Sequence, residues 1–249
     1  MLRDQEKDEA YFKYALEDKI NHIEKINEYI KSNTGVPVRL YEGLYSDYLS
    51  SILIEYSAGK NVDELAKYVP LIFENFLKKI ALEAGNDDYK YEQLNTYIGI
   101  YEDVLTTLCI GILFNVDKDI LDQYKLQCDT IRGKDLLLES IWYTYKKTEI
   151  PQSQKKIKLL YPKSYTSPYQ ILQKDTKNKE DLLLEYCNNW MKTKKSASWY
   201  GNLKLSKTGG VCSYDGYWNL EGAVIAYLLN IEPSKFEGIK YFPIDLLRR

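Results

Sequence analysis

Phe12, Leu16, Ile20, Ile23, Ile26 and Ile30 recur at spacings of 4, 4, 3, 3 and 4 residues. That is the period of an α-helix, and it lays one apolar stripe along the opening segment. A half-buried strand would alternate at every second residue, so this segment must bury a helix face against other elements. Only 13 glycines and 7 prolines interrupt 249 residues, which favours long helices over a many-turned β architecture.

The breakers that do occur fall between helical patterns. Thr34-Gly35-Val36-Pro37 ends the first helix, because glycine takes positive φ readily and proline cannot continue a helix. Leu40, Leu44, Leu49, Ile52, Leu53 and Tyr56 predict a second helix, closed at Gly59. Asn61 through Glu64 reads as a capping box opening a third, which Pro70 should kink or break and Gly85-Asn86-Asp87-Asp88 should close. A fourth helix is expected over residues 91–114, apolar on most sides after Val104 and therefore central and buried. Asp117 should cap a fifth over 118–126, and Asp129-Thr130 should open the next, with Leu136, Leu137, Ile141, Trp142 and Tyr145.

Beyond Pro151 the elements shorten. Residues 153–160 and 168–173 read as short helices, and 179–191 as a stronger one. A lysine-rich connection follows over 192–210, then a strong helix over 217–230 and an extended or loosely helical tail over 241–247. There is no convincing period-2 strand and no exact internal repeat. The expectation is an all-α multi-helix bundle of two helical modules, 1–127 and 128–249, packed as one compact unit.

A content of 45% hydrophobic and 28% charged residues is that of a globular chain. Four cysteines with no C-x-x-C pair, and a single histidine, argue against a zinc site or a disulfide framework. The charged start MLRDQEKDEAYF has no apolar signal-peptide core, and the apolar run 104–114 is too short to span a bilayer. A cytoplasmic protein that does not engage a membrane is expected. Net charge is −2, yet residues 1–150 carry 27 acidic and 18 basic side chains while 151–249 carry 9 and 16. This asymmetry either orients a charged partner or reflects ordinary solvated faces.

The search for catalytic chemistry is mostly negative. His22 lies beside Ile23 on the first helix and reads as an exposed or half-buried helical histidine. No Gly-x-Ser-x-Gly, His-Glu-x-x-His or Walker loop is present. Asp87, Asp88, Glu92, Glu102 and Asp103 form acidic pairs near the fourth helix. As chemistry they would bind a metal or act as acid and base; otherwise they are solvated or favour a helix N-terminus; as a contact they would face a basic protein surface. Lys155-Lys156-Lys158 and Lys192-Lys194-Lys195, the latter followed by Trp199-Tyr200, raise nucleic-acid contact, but the sequence pI of about 5.7 speaks against it.

The C-terminal segment Gly216-Tyr217-Trp218-Asn-Leu-Glu221-Gly-Ala223-Val-Ile-Ala226 resembles the G-Y-W-x-(F/L)-E-x-A-x-(I/V)-A core of the polymorphic-nuclease immunity (PoNi) family. Tyr241-Phe242-Pro243-Ile244-Asp245-Leu246 is similar to that family's Y-(Y/F)-P-x-D-L ending, and Trp199-Tyr200 also looks like family members. Arg3, Tyr11-Phe12 and Tyr56-Ser57-Ala58-Gly59 resemble its N-terminal module, so the likeness runs over nearly the whole chain. Gly222 stands where a small residue such as alanine is usual, and Leu220 where phenylalanine is common.

The resemblance implies an all-helical protein that binds a toxin nuclease delivered by a bacterial secretion system such as type VI. It implies no catalytic residue, cofactor or metal of its own. The motif residues Gly216, Tyr217, Trp218, Glu221, Ala223, Pro243 and Asp245 read as holding the fold together. Glu221 sits one turn into an apolar helix and must be paired or hydrogen-bonded if buried. Stoichiometric occlusion of a cognate DNase is the expected mechanism, without direct nucleic-acid binding, by a chain that is monomeric or homodimeric when free. Asp87, Asp88, Glu92, Glu102 and Asp103 are the expected contacts, and Asp4, Glu6, Asp8 and Glu9 a second group. A helical scaffold or adaptor without catalytic activity is the alternative, and a metal-dependent hydrolase built on the carboxylates a third.

Overall fold

The first helix, α1 (Glu9–Ser32), buries part of the stripe that the spacing lays down: Phe12, Ile23 and Ile26 are buried together with Ala15, Leu16 and Ile30 are half-buried, and Ile20, at the stripe's edge, is 40% exposed. Asp8 caps it by accepting from Tyr11 N at 2.8 Å, which satisfies one of the helix's orphan donors. The computed structural model describes residues 1–86, 92–154, 156–205 and 213–248, and among these there is no β-strand.

Two compact units are formed. The first contains 1–90, 116–127 and 201–217; the second contains 91–115, 128–200 and 218–249. In the first unit, α2 (Val38–Ser57) packs against both α1 and α4 (Val69–Glu83). The pair α1–α2 closes over Ile23, Ile26 and Leu44, with Ile30, Leu40, Tyr41 and Tyr48 around them. Phe76 of α4 meets Tyr45 at 5.1 Å and Tyr124 at 5.0 Å, ring centre to ring centre. Between α2 and α4 lie the one-turn helix α3 (Val62–Leu65), capped by Asn61, and a 3₁₀ turn (Ala66–Tyr68). Pro70 occupies the first turn of α4, where its missing N–H costs nothing; the break therefore falls just ahead of it.

The second unit is organised around α5 (Ile98–Leu113) and α11 (Leu220–Leu228), both buried over most of their surface. α7 (Leu136–Tyr145), α8 (Pro162–Leu172) and α9 (Lys179–Thr193) pack on α11. α6 (Lys118–Ile131) joins the two sets, its residues to Gln127 belonging to the first unit, and α10 (Asn202–Leu205) is a single turn. Pro233–Phe236 and Ile244–Leu247 form 3₁₀ turns in the tail.

Several boundaries differ from the sequence reading, each for a local reason. α5 starts at Ile98, because Gln93 and Thr96 close a turn (Thr96 N to Gln93 O, 2.9 Å; Gln93 N to Thr96 Oγ1, 3.2 Å) that competes with helix. Asp129-Thr130 do not open a helix; they lie in the last turn of α6, and Asp135 caps α7 instead, accepting from Leu137 N and Leu138 N. Among the described residues of 153–160 there is only the end of a 3₁₀ turn, Gln152–Gln154. Beyond it the backbone is tied to the start of α7, with Leu136 N donating to Lys158 O and Leu160 N to Asp135 Oδ2. α8 begins at Pro162, a favoured first-turn position, and carries Pro168 inside at the loss of one backbone bond. Tyr217 and Trp218 precede α11 rather than forming its first turn.

Candidate functional site

In the second unit the motif segment builds a buried ionic cluster. Asn219 caps α11, its carboxamide oxygen accepting from Gly222 N at 2.8 Å. A Cβ at Gly222 would stand 2.5 Å from that carboxamide, which explains glycine at a position where the family resemblance favours alanine. The residue before Gly222, Glu221, points into the unit. Its Oε1 accepts from Trp190 Nε1 at 2.7 Å and from Tyr186 OH at 2.8 Å. Lys194 Nζ stands 2.7 Å from the same oxygen, an ion pair rather than a well-directed hydrogen bond. The ammonium also lies 3.7 Å from the centre of the Tyr165 ring, a cation–π contact shielded from water.

The physical demand on Glu221, that a buried carboxylate be partnered, is thus met by two hydrogen-bond donors and one ammonium. Burial pushes its pKa up, but the Lys194 charge and the hydrogen bonds outweigh burial and hold it below the usual carboxylate range. Burial pushes Lys194 down, and Glu221 offsets part of that. Lys194 does not share a surface with Lys192 and Lys195, with which the sequence grouped it as a possible nucleic-acid contact: it is 1% exposed, while Lys192 and Lys195 are exposed. Trp199 likewise stacks on Trp190, ring centres 5.3 Å apart, instead of offering a free platform for a base.

The remaining motif residues in this unit close around the same helix. Ala223 has no exposed surface, Pro243 is buried, and Trp218 and Asp245 are half-buried. Asn219 N donates to Tyr241 O at 2.8 Å, and Tyr241 holds a left-handed backbone with φ +66. Such a conformation is uncommon for a bulky residue and persists only where its surroundings enforce it.

In the first unit, Gly216 takes φ +106 and turns Tyr217 inward. The Tyr217 hydroxyl accepts from Gly201 N and Leu203 N, both at 3.2 Å. Tyr214 OH donates to Asp4 Oδ2 at 2.6 Å, and Tyr11 OH donates to Tyr214 O at 3.0 Å. Arg3 caps the end of α2, its Nη1 donating to Tyr56 O at 3.0 Å and Lys60 O at 2.6 Å. His22 is exposed and meets the carboxylate of Asp47.

The acidic residues expected to form one contact surface are placed differently from one another. Asp87 and Asp88 lie outside the described residues. Glu92 is half-buried, 3.4 Å from the Arg132 guanidinium. Asp103 is exposed. Glu102 is buried and faces inward, its Oε2 accepting from Ser198 N at 3.0 Å and Ser198 Oγ at 2.6 Å. Burial raises the Glu102 pKa, with the Ser198 bonds and Lys194 opposing. Of the second group, Asp4 is buried on Tyr214, Glu6 is half-buried, and Asp8 and Glu9 are exposed. Among the described residues no three His, Cys, Asp or Glu side chains are grouped to hold a metal ion. Cys109, Cys128 and Cys187 are free and buried.

Two family models match the chain in succession. The N-terminal model of the PoNe immunity proteins (PoNi) covers residues 3–124, and the C-terminal model covers 133–246. The chain belongs to the PoNi family. PoNi proteins are immunity proteins for polymorphic nuclease toxins, so the chain is an inhibitor rather than an enzyme and binds a cognate nuclease toxin. Comparison with curated proteins and with solved structures gave no match. Among the described residues no helix is long and apolar enough to cross a membrane.

Proposed function

We propose that this PoNi protein neutralises a cognate DNase delivered by a bacterial secretion system such as type VI, by stoichiometric occlusion in the cytoplasm. The observation that carries the reading is the match to both PoNi models, which together run from residue 3 to residue 246. A nuclease must present a cationic cleft to its polyanionic substrate. Carboxylates on the inhibitor compete with phosphate there, speeding encounter, while buried aromatic anchors slow dissociation. Of the acidic positions near α5 among the described residues, Asp103 and Glu92 are contact candidates, whereas Glu102 is turned inward.

The test is co-expression with the cognate toxin. Survival, intact chromosomal DNA and a 1:1 complex on gel filtration are expected. Death of the cells without any complex removes the proposal. Protection without a complex removes occlusion as its mechanism.

A further inference from the structure

We propose that the outer face of α1 is the surface that docks on the cationic face of the cognate nuclease; the inference rests on the functional reading above. At about 100° per residue, Tyr14, Glu17, Asp18, Asn21, Glu24, Lys25, Glu28 and Tyr29 fall within one sector of about 140° along α1. All of them are exposed, and the buried stripe Phe12, Ala15, Ile23 and Ile26 lies on the other side of the helix against the first unit's interior.

Two features make this face unlike an ordinary solvated one. The first is aromatic. Tyr14 and Tyr29 are 63% and 48% exposed, four turns apart on the same side, although most tyrosine side chains elsewhere in the first unit are packed inward. Large amphipathic rings held on a rigid helix serve as anchors at low cost in conformational freedom. The second is charge. Four carboxylates share the sector with one lysine, and Glu24 and Glu28 repel one another at i,i+4. Among the described residues only Glu17 has an ion-pair partner, Lys13 at 4.0 Å, at the sector's edge. Lys25 is the single lysine in the sector, so its carboxylates outnumber it four to one. A cationic partner surface would relieve the repulsion and cover the rings together, which selects a basic protein over a nucleic acid or an anionic membrane.

The experiment measures binding of the full-length chain to the catalytically inactive cognate nuclease by surface plasmon resonance. Tyr14→Ala/Tyr29→Ala is expected to weaken Kd by roughly 30-fold or more, mainly through dissociation. Glu24→Lys/Glu28→Lys is expected to slow association by roughly 10-fold and to flatten its salt dependence. Glu185→Lys, on α9 in the other unit, should change neither. All substituted side chains are exposed, and circular dichroism melts confirm folding. If the wild type binds and both α1 variants bind equally well, this docking face is wrong while the immunity reading stands. If the wild type does not bind, both fall. Gel filtration showing a homodimer that the α1 variants dissolve, with nuclease binding unchanged, assigns the face to a second copy and overturns the proposal.

Discussion

Replacing Glu221 by Gln tests how far the buried ion pair holds the second unit together. The amide keeps the shape of the side chain, and its oxygen can still accept from Trp190 and Tyr186, but it removes the charge 2.7 Å from Lys194. Lys194 then has two courses. It keeps its proton and remains a buried cation that has lost its direct carboxylate contact, a situation that costs about 3–5 kcal/mol. Otherwise it sheds the proton on folding. At pH 7, an amine with an ordinary pKa of about 10.4 loses its proton at a cost of about 1.36 kcal/mol per unit, or about 4–5 kcal/mol in all. The second course sets the ceiling, so Glu221→Gln should lose about 3–5 kcal/mol at pH 7.

The two courses also fix the pH dependence. If the variant folds with neutral Lys194, its unfolded state binds the extra proton, and stability must rise with pH until the ordinary lysine range is reached. Urea denaturation at pH 7 and pH 9 should therefore show the deficit shrinking by about 2–3 kcal/mol at the higher pH. Glu221→Gln/Lys194→Met should recover most of the loss, because the methionine leaves no charge to bury. A loss below about 1 kcal/mol in Glu221→Gln, or a double variant no more stable than the single one, would refute the argument.

Other outcomes follow from single contacts. Tyr214→Phe removes the donor to buried Asp4 and should cost about 1–3 kcal/mol in urea denaturation, with faster amide exchange in residues 3–12. Gly216→Ala places a side chain at φ +106 and should cost at least about 1 kcal/mol, seen as a lower melting temperature. Glu102 has its pKa raised by burial, so in the wild type its contribution is fully present below the unfolded carboxylate pKa and is lost as pH rises through the raised folded value. Glu102→Gln, whose oxygen can still accept from Ser198, should abolish that decline, read from urea midpoints over pH 4–8. An unaltered pH profile would show that Glu102 is not the group responsible.

How much of this was legible beforehand depended on the range of the interaction. The helix of α1, the stop at Gly59 and the cap at Asp117, which accepts from Asp119 N at 2.9 Å, are written within a few neighbouring residues, and these features stand where the spacing puts them. Where two local signals competed, the boundary moved: Asp129-Thr130 and Asp135 both have the chemistry of a cap, and the helix break at Gly133, with φ +85, leaves Asp135 to cap the next helix. The charge runs were the least legible. Glu102 and Asp103 look alike in the sequence, yet one is buried on Ser198 and the other faces water. The helical register separates the two side chains, and neither carries a label for which direction is inside.

The sequence by itself determined that the chain is all-helical, that it carries the PoNi motifs, and that Glu221, if buried, needs a partner. Each of these follows from residue type and spacing, which act over one or two helical turns. Only the tertiary structure decided that the partner is Lys194, drawn out of a lysine cluster that the sequence offers for nucleic-acid contact. It likewise decided that Asp4 meets Tyr214 across 210 residues of chain. The reason is that desolvation and Coulomb energy depend on distance and burial after packing, and packing is settled by all the helix faces at once rather than by any one of them.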